Sequence, residues 1–311
     1  MVRMWVTESC NALCPHCMNA SVRSQAQMPY DKFAALCDYF QVNGFDKIGI
    51  MGGEPTIHPD FPKIMTKAQE CFEIVYLYTN ALKADELYGY NPRTQDIVIY
   101  NFLFSRSLTP EKLLLDKKGE RILDVVVNHD SNLEYLENEI KRVTSYNRQR
   151  IQVQLVLNNS INIFKKKKQI IHNISRLYNN VSECADINIS FQCGAPLCFT
   201  YGESLPPFMY NTICPDEAVL IDGDCNALFC NIHADKVINM FRGKSLIPYK
   251  ILRNYIRMES MRIKLLCIEK ICKDCFYYGI ECNGKCHISQ HCIERDDIIK
   301  NTNIPWLNSL T

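Results

Sequence analysis

The sequence predicts an α/β fold, a β/α domain followed by a small cysteine-rich domain with little regular structure. Apolar, β-rich runs alternate with helical stretches from the first residues to about residue 192, a pattern typical of a β/α barrel or an open β/α sheet. From Cys214 onward the alternation stops and cysteines recur at short intervals. We therefore expect one domain over residues 1–205 and a second over residues 206–311.

The individual elements follow from this alternation. The predicted strands are Met4–Thr7, Lys47–Met51, Val75–Thr79, Asp96–Asn101, Ile122–Asn128, Ile151–Leu157 and Ile187–Phe191. The predicted helices between them are Tyr30–Val42, Pro62–Cys71, Leu133–Thr144 and Lys166–Tyr178.

Composition narrows the class of protein. With 311 residues and 47% hydrophobic content the chain can bury a substantial core. Its net charge of +1 gives no overall electrostatic attraction to nucleic acid or to an anionic membrane. Seventeen cysteines, with no signal peptide and no long apolar run, indicate a reduced cytoplasmic protein that uses thiols as metal ligands.

The first three cysteines, Cys10, Cys14 and Cys17, have the spacing C-x3-C-x2-C. Such a loop can hold three irons of a cubane cluster and leave the fourth iron free to bind another molecule. The rival interpretation is a structural zinc site, which normally has four protein ligands; His16 could ligate, but no fourth partner is obvious.

Other chemistry-bearing residues also follow predicted strands, where parallel β/α folds gather their reactive groups. Gly52 and Gly53 follow the second strand and would let the backbone approach a ligand, while Glu54 could accept hydrogen bonds from an ammonium group. Asparagines stand just past four strand ends, at Asn80, Asn101, Asn128 and Asn158.

The segments Cys10–Cys17 and Met51–Pro55 resemble the cysteine signature and the GGEP segment of the radical S-adenosylmethionine (SAM) enzymes. This resemblance implies an open six-stranded partial barrel, so one of the strands Asp96–Asn101 and Ile122–Asn128 would be extra or misread. It also implies a [4Fe-4S] cluster on the three cysteines, with SAM chelating the open iron. By the same resemblance, the SAM contacts are Gly52, Gly53, Glu54, Pro55, His16 and Asn80.

The cysteine-rich end resembles the SPASM extension of peptide-modifying radical SAM enzymes, which holds two auxiliary [4Fe-4S] clusters and would bring the total to three. The outer cluster would be held by Cys272, Cys275, Cys282 and Cys292. The inner cluster would be held by Cys214, Cys230 and Cys286. A pair of zinc sites is the alternative, because C-x2-C pairs are common to both metals.

Cys225 stands five residues before Cys230, where the SPASM pattern usually has glycine. Three interpretations remain open for its side chain: a fourth ligand of the inner cluster, a hydrogen-atom donor to a substrate radical, or a buried thiol without a role. Asp222 and Asp224 are candidate catalytic bases, as in sulfatase-maturing enzymes, or simply turn residues.

The resemblance implies that an electron donor such as flavodoxin or ferredoxin reduces the first cluster, which splits SAM into a 5′-deoxyadenosyl radical that takes a hydrogen atom from the substrate. The favoured hypothesis is a maturase that crosslinks or otherwise oxidises a ribosomally made peptide, without an amino-terminal peptide-recognition domain. The alternatives are a peptide epimerase, a protein oxidase like the sulfatase maturases, a radical SAM enzyme of small molecules, and a non-catalytic iron–sulfur or zinc protein.

Overall fold

The computed structural model describes residues 1–14, 17, 25–83, 87, 89–102, 108–127, 130–147, 151–157, 166–191, 219–228 and 236–266. Its strands are β1 (Val2–Thr7), β2 (Lys47–Gly52), β3 (Ile74–Thr79), β4 (Ile97–Asn101), β5 (Glu120–Val127), β6 (Ile151–Leu157), β7 (Asp186–Phe191), β8 (Val219–Ile221), β9 (Asn226–Leu228), β10 (Lys236–Asn239), β11 (Phe241–Arg242) and β12 (Ser245–Leu246). Its helices are α1 (Tyr30–Val42), α2 (Phe61–Cys71), α3 (Leu133–Thr144), α4 (Lys167–Val181) and α5 (Tyr249–Leu266).

All seven predicted strands and all four predicted helices are present, with bounds that shift by no more than a few residues. The suspicion that one of the fourth and fifth strands is misread is wrong, because β4 and β5 are both strands. β5 alternates between buried and less buried side chains along its length, as a strand with two different faces requires, whereas β4 has three consecutive buried residues, Val98, Ile99 and Tyr100.

The chain divides into two compact units, Met1–Leu123 with Glu217–Arg262 and Asp124–Asp216 with Ile263–Thr311. In the first unit the strands lie in the order β10-β9-β8-β1-β2-β3-β4. The pairs β1–β2, β2–β3, β3–β4 and β1–β8 are parallel, whereas β8–β9 and β9–β10 are antiparallel. The first unit therefore presents the carboxyl ends of β1 to β4 at one edge of its sheet.

Side chains on β1, β2 and β3 alternate between two faces of this sheet. One face is buried and, apart from Thr79 at the end of β3, apolar; its fully buried side chains are Val2, Met4, Val6, Ile48, Ile50, Val75 and Leu77. Helices α1 and α2 connect these parallel strands and pack against each other, and right-handed crossovers place both helices on the same side. The hydrophobic core of the first unit thus lies between this face and the two helices.

The second unit likewise combines parallel strands with a pair of packed helices. Strands β6 and β7 pair in parallel in a register that places Val153 opposite Ile187 and Leu155 opposite Ile189. Helices α3 and α4 pack against each other, and α3 begins where the Asn132 side chain accepts a hydrogen bond from the backbone N–H of Tyr135 (3.0 Å).

The predicted domain boundary at residue 205 lies outside the described residues and stays a prediction. Within residues 219–266 the structure has more regular secondary structure than the sequence predicts, because β8 extends the sheet alongside β1 and α5 follows the last short strands. None of the helices in the described part of the chain is long and apolar enough to cross a membrane.

Candidate functional site

The loop that carries Cys10, Cys14 and Cys17 is closed at its base by backbone hydrogen bonds. The N–H of Glu8 donates to the carbonyl of Ala26 (2.8 Å), and the N–H of Met28 donates to the carbonyl of Val6 (2.9 Å). Thr7 forms an antiparallel bridge with Gln27 between these two bonds. Both ends of the loop are therefore fixed at the carboxyl end of β1.

His58 attaches this base to the segment after β2. Its Nδ1 accepts the N–H of Asp60 (3.0 Å), so the ring proton is on Nε2, which lies 3.1 Å from the carbonyl oxygen of Met28. Burial lowers the pKa of His58, which keeps the ring neutral and preserves both bonds. Sequence reasoning missed this histidine, although it lies four residues after Glu54.

The cysteine sulfurs lie close to amides from two other strand ends. Asn80 Nδ2, just past β3, lies 3.9 Å from Cys10 Sγ, and Asn101 Nδ2, at the end of β4, lies 4.0 Å from Cys14 Sγ. All three cysteines are part-buried. Amide donors near thiolate sulfur are one of the means by which proteins tune iron–sulfur clusters.

The donor set therefore fits an iron–sulfur cluster. Among the residues that the structure describes, no three His, Cys, Asp or Glu side chains converge on a single metal-ion position, and this includes the cysteine loop. A cubane cluster, unlike a single zinc ion, holds its thiolates around several irons, so the three sulfurs need not meet at one point.

The glycine pair serves close backbone packing in this structure. The N–H of Gly53 donates to the carbonyl of Thr7 (2.7 Å), and the N–H of Glu54 donates to the carbonyl of Ser9 (2.9 Å). A Cβ on Gly53 would lie 1.9 Å from the Ser9 oxygen, and one on Gly52, where φ is +144°, would lie 2.1 Å from the Thr7 oxygen. Only glycine fits at either position, because the segment runs directly against the start of the cysteine loop.

The Glu54 carboxylate is buried and accepts four hydrogen bonds from the chain itself. Oε1 accepts from the backbone N–H (3.1 Å) and hydroxyl (2.7 Å) of Thr56 and from the hydroxyl of Thr79 (2.7 Å), and Oε2 accepts from the N–H of Asn80 (2.7 Å). Burial raises the pKa of Glu54, and these bonds oppose the rise. Oε1 thus takes three of the four donors and Oε2 takes one, which leaves Oε2 with one further acceptor position.

Asn80 links Glu54 to the cysteine loop. Its side-chain amide donates to Asn11 Oδ1 (2.8 Å), and its Oδ1 accepts the N–H of Leu82 (2.9 Å). Pro55 opens a buried 3-10 turn over Pro55–Ile57, which follows directly from Glu54. Of the residues predicted to contact SAM, the structure thus brings Glu54 and Asn80 together beside Cys10, whereas His16 lies outside the described residues.

The turn between β8 and β9 contains the three predicted catalytic residues. Asp222 is buried, and its Oδ1 accepts the backbone N–H of Asp224 (3.0 Å) and of Asn226 (2.7 Å). Asp224 is exposed. Gly223 packs against the base of the cysteine loop, since a Cβ on it would lie 3.2 Å from Ala26 Cβ. The carboxylate of Asp222 is engaged by the turn, which corresponds to the turn interpretation.

Cys225 occupies a conformation that usually requires glycine. Its φ is +64°, and the N–H of Cys225 donates to the carbonyl of Asp222 (2.9 Å) to close the turn. This geometry explains why a glycine is usual at that position. The thiol is fully buried, and burial raises its pKa to about 11.

We expect Cys225→Gly to be more stable than Cys225→Ala by about 1 kcal/mol, because glycine relieves the left-handed strain and alanine does not. Both variants should keep the iron content of the wild type, measured by iron analysis beside chemical denaturation. Iron loss in both variants would instead make Cys225 a cluster ligand. Retained iron and SAM cleavage, with failure to complete inversion of a substrate centre, would make it a hydrogen-atom donor.

The seven cysteines predicted to hold the auxiliary clusters lie outside the described residues. These are Cys214, Cys230, Cys272, Cys275, Cys282, Cys286 and Cys292. Their roles as metal ligands stay predictions.

Sequence reasoning also missed Asp124, which interrupts the apolar run of β5 between Leu123 and Val125. Its side chain is part-buried, and burial raises its pKa from 3.8 to about 7. An acid flanked on both sides by apolar residues within the strand was the signal that could have identified it.

Asp124→Asn should raise the free energy of unfolding at pH 8 by ~2 kcal/mol, since each pKa unit corresponds to about 1.4 kcal/mol and partial solvent access reduces the full value. The folded pKa lies above the unfolded one, so wild-type stability falls as pH rises from about 4 to about 7. At pH 4 the variant should match the wild type. Denaturant titrations at both pH values test this, with the exposed Asp130→Asn as control; equal stabilities at pH 8 would contradict it.

Residues 5–94 match the model of the radical SAM superfamily. A GTP 3′,8-cyclase of Hydrogenovibrio crunogenus is 29% identical over 147 residues, which are 45% of this chain and 44% of that protein. A GTP 3′,8-cyclase of Chlorobaculum tepidum is 31% identical over 87 residues, which are 27% of this chain and 26% of that protein. The chain thus spans less than half the length of these curated relatives.

Two solved structures share the fold. Streptococcus suis SuiB bound to S-adenosylmethionine superimposes with a TM-score of 0.63 at 15% identity, over 92% of this chain and 72% of that one. SuiB bound to precursor peptide SuiA gives a TM-score of 0.53 at 14% identity, over 76% of this chain and 61% of that one. At this identity the likeness shows a common α/β fold.

Proposed function

Because the chain carries a radical SAM domain, we propose that it is an enzyme that modifies a small ribosomally made peptide with the help of a [4Fe-4S] cluster and SAM. The observation that carries the proposal is the meeting of the closed cysteine loop, the glycine pair and Asn80 at one edge of the sheet. This is the edge at which parallel β/α folds hold their reactive groups.

Cys10, Cys14 and Cys17 would hold the cluster, and the amides of Asn80 and Asn101 would donate to its sulfur ligands. When bound, the cluster and SAM supply a radical that abstracts a hydrogen atom from the substrate. The chain's own part is to fix positions and to exclude water from the reacting bond.

Glu54 acts on this site through Asn80. Its four hydrogen bonds fix the segment after β2 to the end of β3. The Asn80 side-chain amide in turn contacts Asn11 and Cys10 of the cysteine loop, so the position of Asn80 affects that loop. Glu54 is therefore a positioning residue for this edge of the site, and its direct contact with the SAM ammonium stays a prediction.

A peptide substrate is supported by the fold that the chain shares with SuiB, a protein solved with its precursor peptide. The seven cysteines at the carboxyl end support two auxiliary [4Fe-4S] clusters of the SPASM type. Those clusters would accept electrons after hydrogen abstraction, so that the peptide loses two hydrogen atoms and gains one new bond. An electron donor such as flavodoxin or ferredoxin would reduce the first cluster.

A small molecule is the second candidate substrate, because the two curated relatives are GTP 3′,8-cyclases. Their likeness covers at most 45% of this chain, whereas the fold likeness to SuiB covers 92%. The peptide therefore remains the first choice.

The anaerobically reconstituted protein should be incubated with SAM, dithionite and either a candidate precursor peptide or GTP. The proposal expects a peptide product lighter by two hydrogen atoms in mass spectrometry. An epimerised peptide of unchanged mass would favour an epimerase, an oxidised cysteine or serine a protein oxidase, and turnover of GTP alone the small-molecule alternative.

A further inference from the structure

The sheet of the first unit has a second face, opposite the one that α1 and α2 cover. We name it the open face and define it by Arg3, Trp5, Gly49, Tyr76 and Tyr78, which alternate with the buried aliphatic residues of β1, β2 and β3. Arg3, Tyr76 and Tyr78 are only part-buried. This face is therefore partly accessible from outside the chain.

Strand register brings these side chains together. Arg3 lies opposite Gly49 on β2, and Gly49 lies opposite Tyr76 on β3. A Cβ on Gly49 would lie 3.2 Å from Arg3 Cγ and 3.6 Å from the Tyr78 ring. The Arg3 stem and the Tyr78 ring thus flank the space above the glycine.

Two buried hydrogen-bond donors on this face have no acceptor in the described part of the chain. They are Nε of Arg3 and Nε1 of Trp5, two residues apart and on the same side of β1. An unpaired buried donor typically costs about 1 to 3 kcal/mol, and such groups are rare in native structures. Two of them on the same side of β1 indicate that an acceptor from another molecule belongs there.

The charged residues on the open face indicate that the acceptor is anionic. Lys47 lies two residues before Gly49 and therefore on the same side of β2. None of the residues on this side of β1, β2 and β3 is acidic. Arg3 forms no ion pair with any described residue. A planar guanidinium favours a carboxylate or a phosphate, and the indole N–H adds one further donor.

The distance from Arg3 to the cysteine loop indicates the size of the ligand. Arg3 lies four residues before the end of β1, which corresponds to about 13 Å along the strand. An anchor so far from the cysteine loop suits an extended peptide of about four residues better than a compact molecule.

We propose that Arg3 and Trp5 form a subsite that binds a carboxylate of the substrate peptide, about four residues from the residue that is modified. The inference rests on the proposed function, because it takes the substrate to be a peptide. It makes Arg3 and Trp5 specificity residues rather than catalytic ones.

The test uses two synthetic peptides that differ only by glutamate or glutamine at one position, titrated into the reconstituted holoenzyme by calorimetry. The glutamate peptide should bind the wild type at least about tenfold more tightly than its glutamine twin, the scale of a hydrogen bond to a charged group. Arg3→Gln should abolish the difference, and Trp5→Phe should reduce it while the protein remains as stable as the wild type. Arg253→Gln, an equal charge change at an exposed position of α5, should preserve it.

Equal binding of both peptides to the wild type, or a difference that survives Arg3→Gln, would overturn the subsite. Loss of GTP binding alone in Arg3→Gln would also overturn it and would make the position a phosphate site. If the wild type discriminates through Arg3 but modifies no peptide, the subsite stands and the proposed function falls. If peptides are modified without discrimination, the proposed function stands and the subsite falls.

Discussion

Replacement of Cys10, Cys14 and Cys17 with alanine should abolish SAM cleavage. The three sulfurs lie on a loop closed at the end of β1, and no other described cysteine shares that loop. Iron should fall from about twelve to about eight atoms per chain, the loss of one [4Fe-4S] cluster of three. Product analysis by chromatography and iron determination on the same sample would measure both effects.

Cys184→Ala is the matched control for this triple variant, because Cys184 is also part-buried but lies just past α4. It should retain the SAM cleavage and the iron of the wild type. Full SAM cleavage by the triple variant would refute the assignment of the first cluster. About four iron atoms with zinc in the intact protein would instead refute the two auxiliary clusters.

Glu54→Ala should lower the free energy of unfolding by about 3 kcal/mol or more, since it leaves four buried donors without an acceptor. SAM affinity should fall as well, by roughly 1 to 3 kcal/mol, because Asn80 loses the bond that positions it. Chemical denaturation and equilibrium binding of SAM would separate the two effects.

Glu54→Gln sharpens this test. The glutamine oxygen can still accept from Thr56 and Thr79, but its amide nitrogen would face the N–H of Asn80, so SAM affinity should suffer more than stability. The control is Glu70→Ala, at an exposed position of α2. A Glu54→Ala protein with unchanged stability and unchanged SAM affinity would contradict the positioning role.

The sequence was sufficient to predict the strands and helices of the β/α part because their periodicity is strong. It was also sufficient to place Cys10, Glu54 and Asn80 at one sheet edge, since residues after parallel strands meet there. What those residues do was harder to predict. Glycines next to a ligand site suggest close approach of a ligand, yet Gly53 is required by the Ser9 backbone.

The misjudged features depend on contacts between segments distant in sequence. Glu54 has donors 25 and 26 residues away, and His58 reaches back 30 residues to Met28. The unpaired donors of Arg3 and Trp5 become visible only when the neighbours of β1 are known. Short strands such as β8 and β9 carry too few residues for a periodic signal.

The central claim is that this chain cleaves SAM at the cysteine loop after β1, and the formation of 5′-deoxyadenosine tests it most directly. The anaerobically reconstituted protein, loaded with iron and sulfide and given SAM and dithionite, should accumulate 5′-deoxyadenosine over time. Protein that contains its full iron and binds SAM, yet forms no 5′-deoxyadenosine with or without a peptide, would contradict the account.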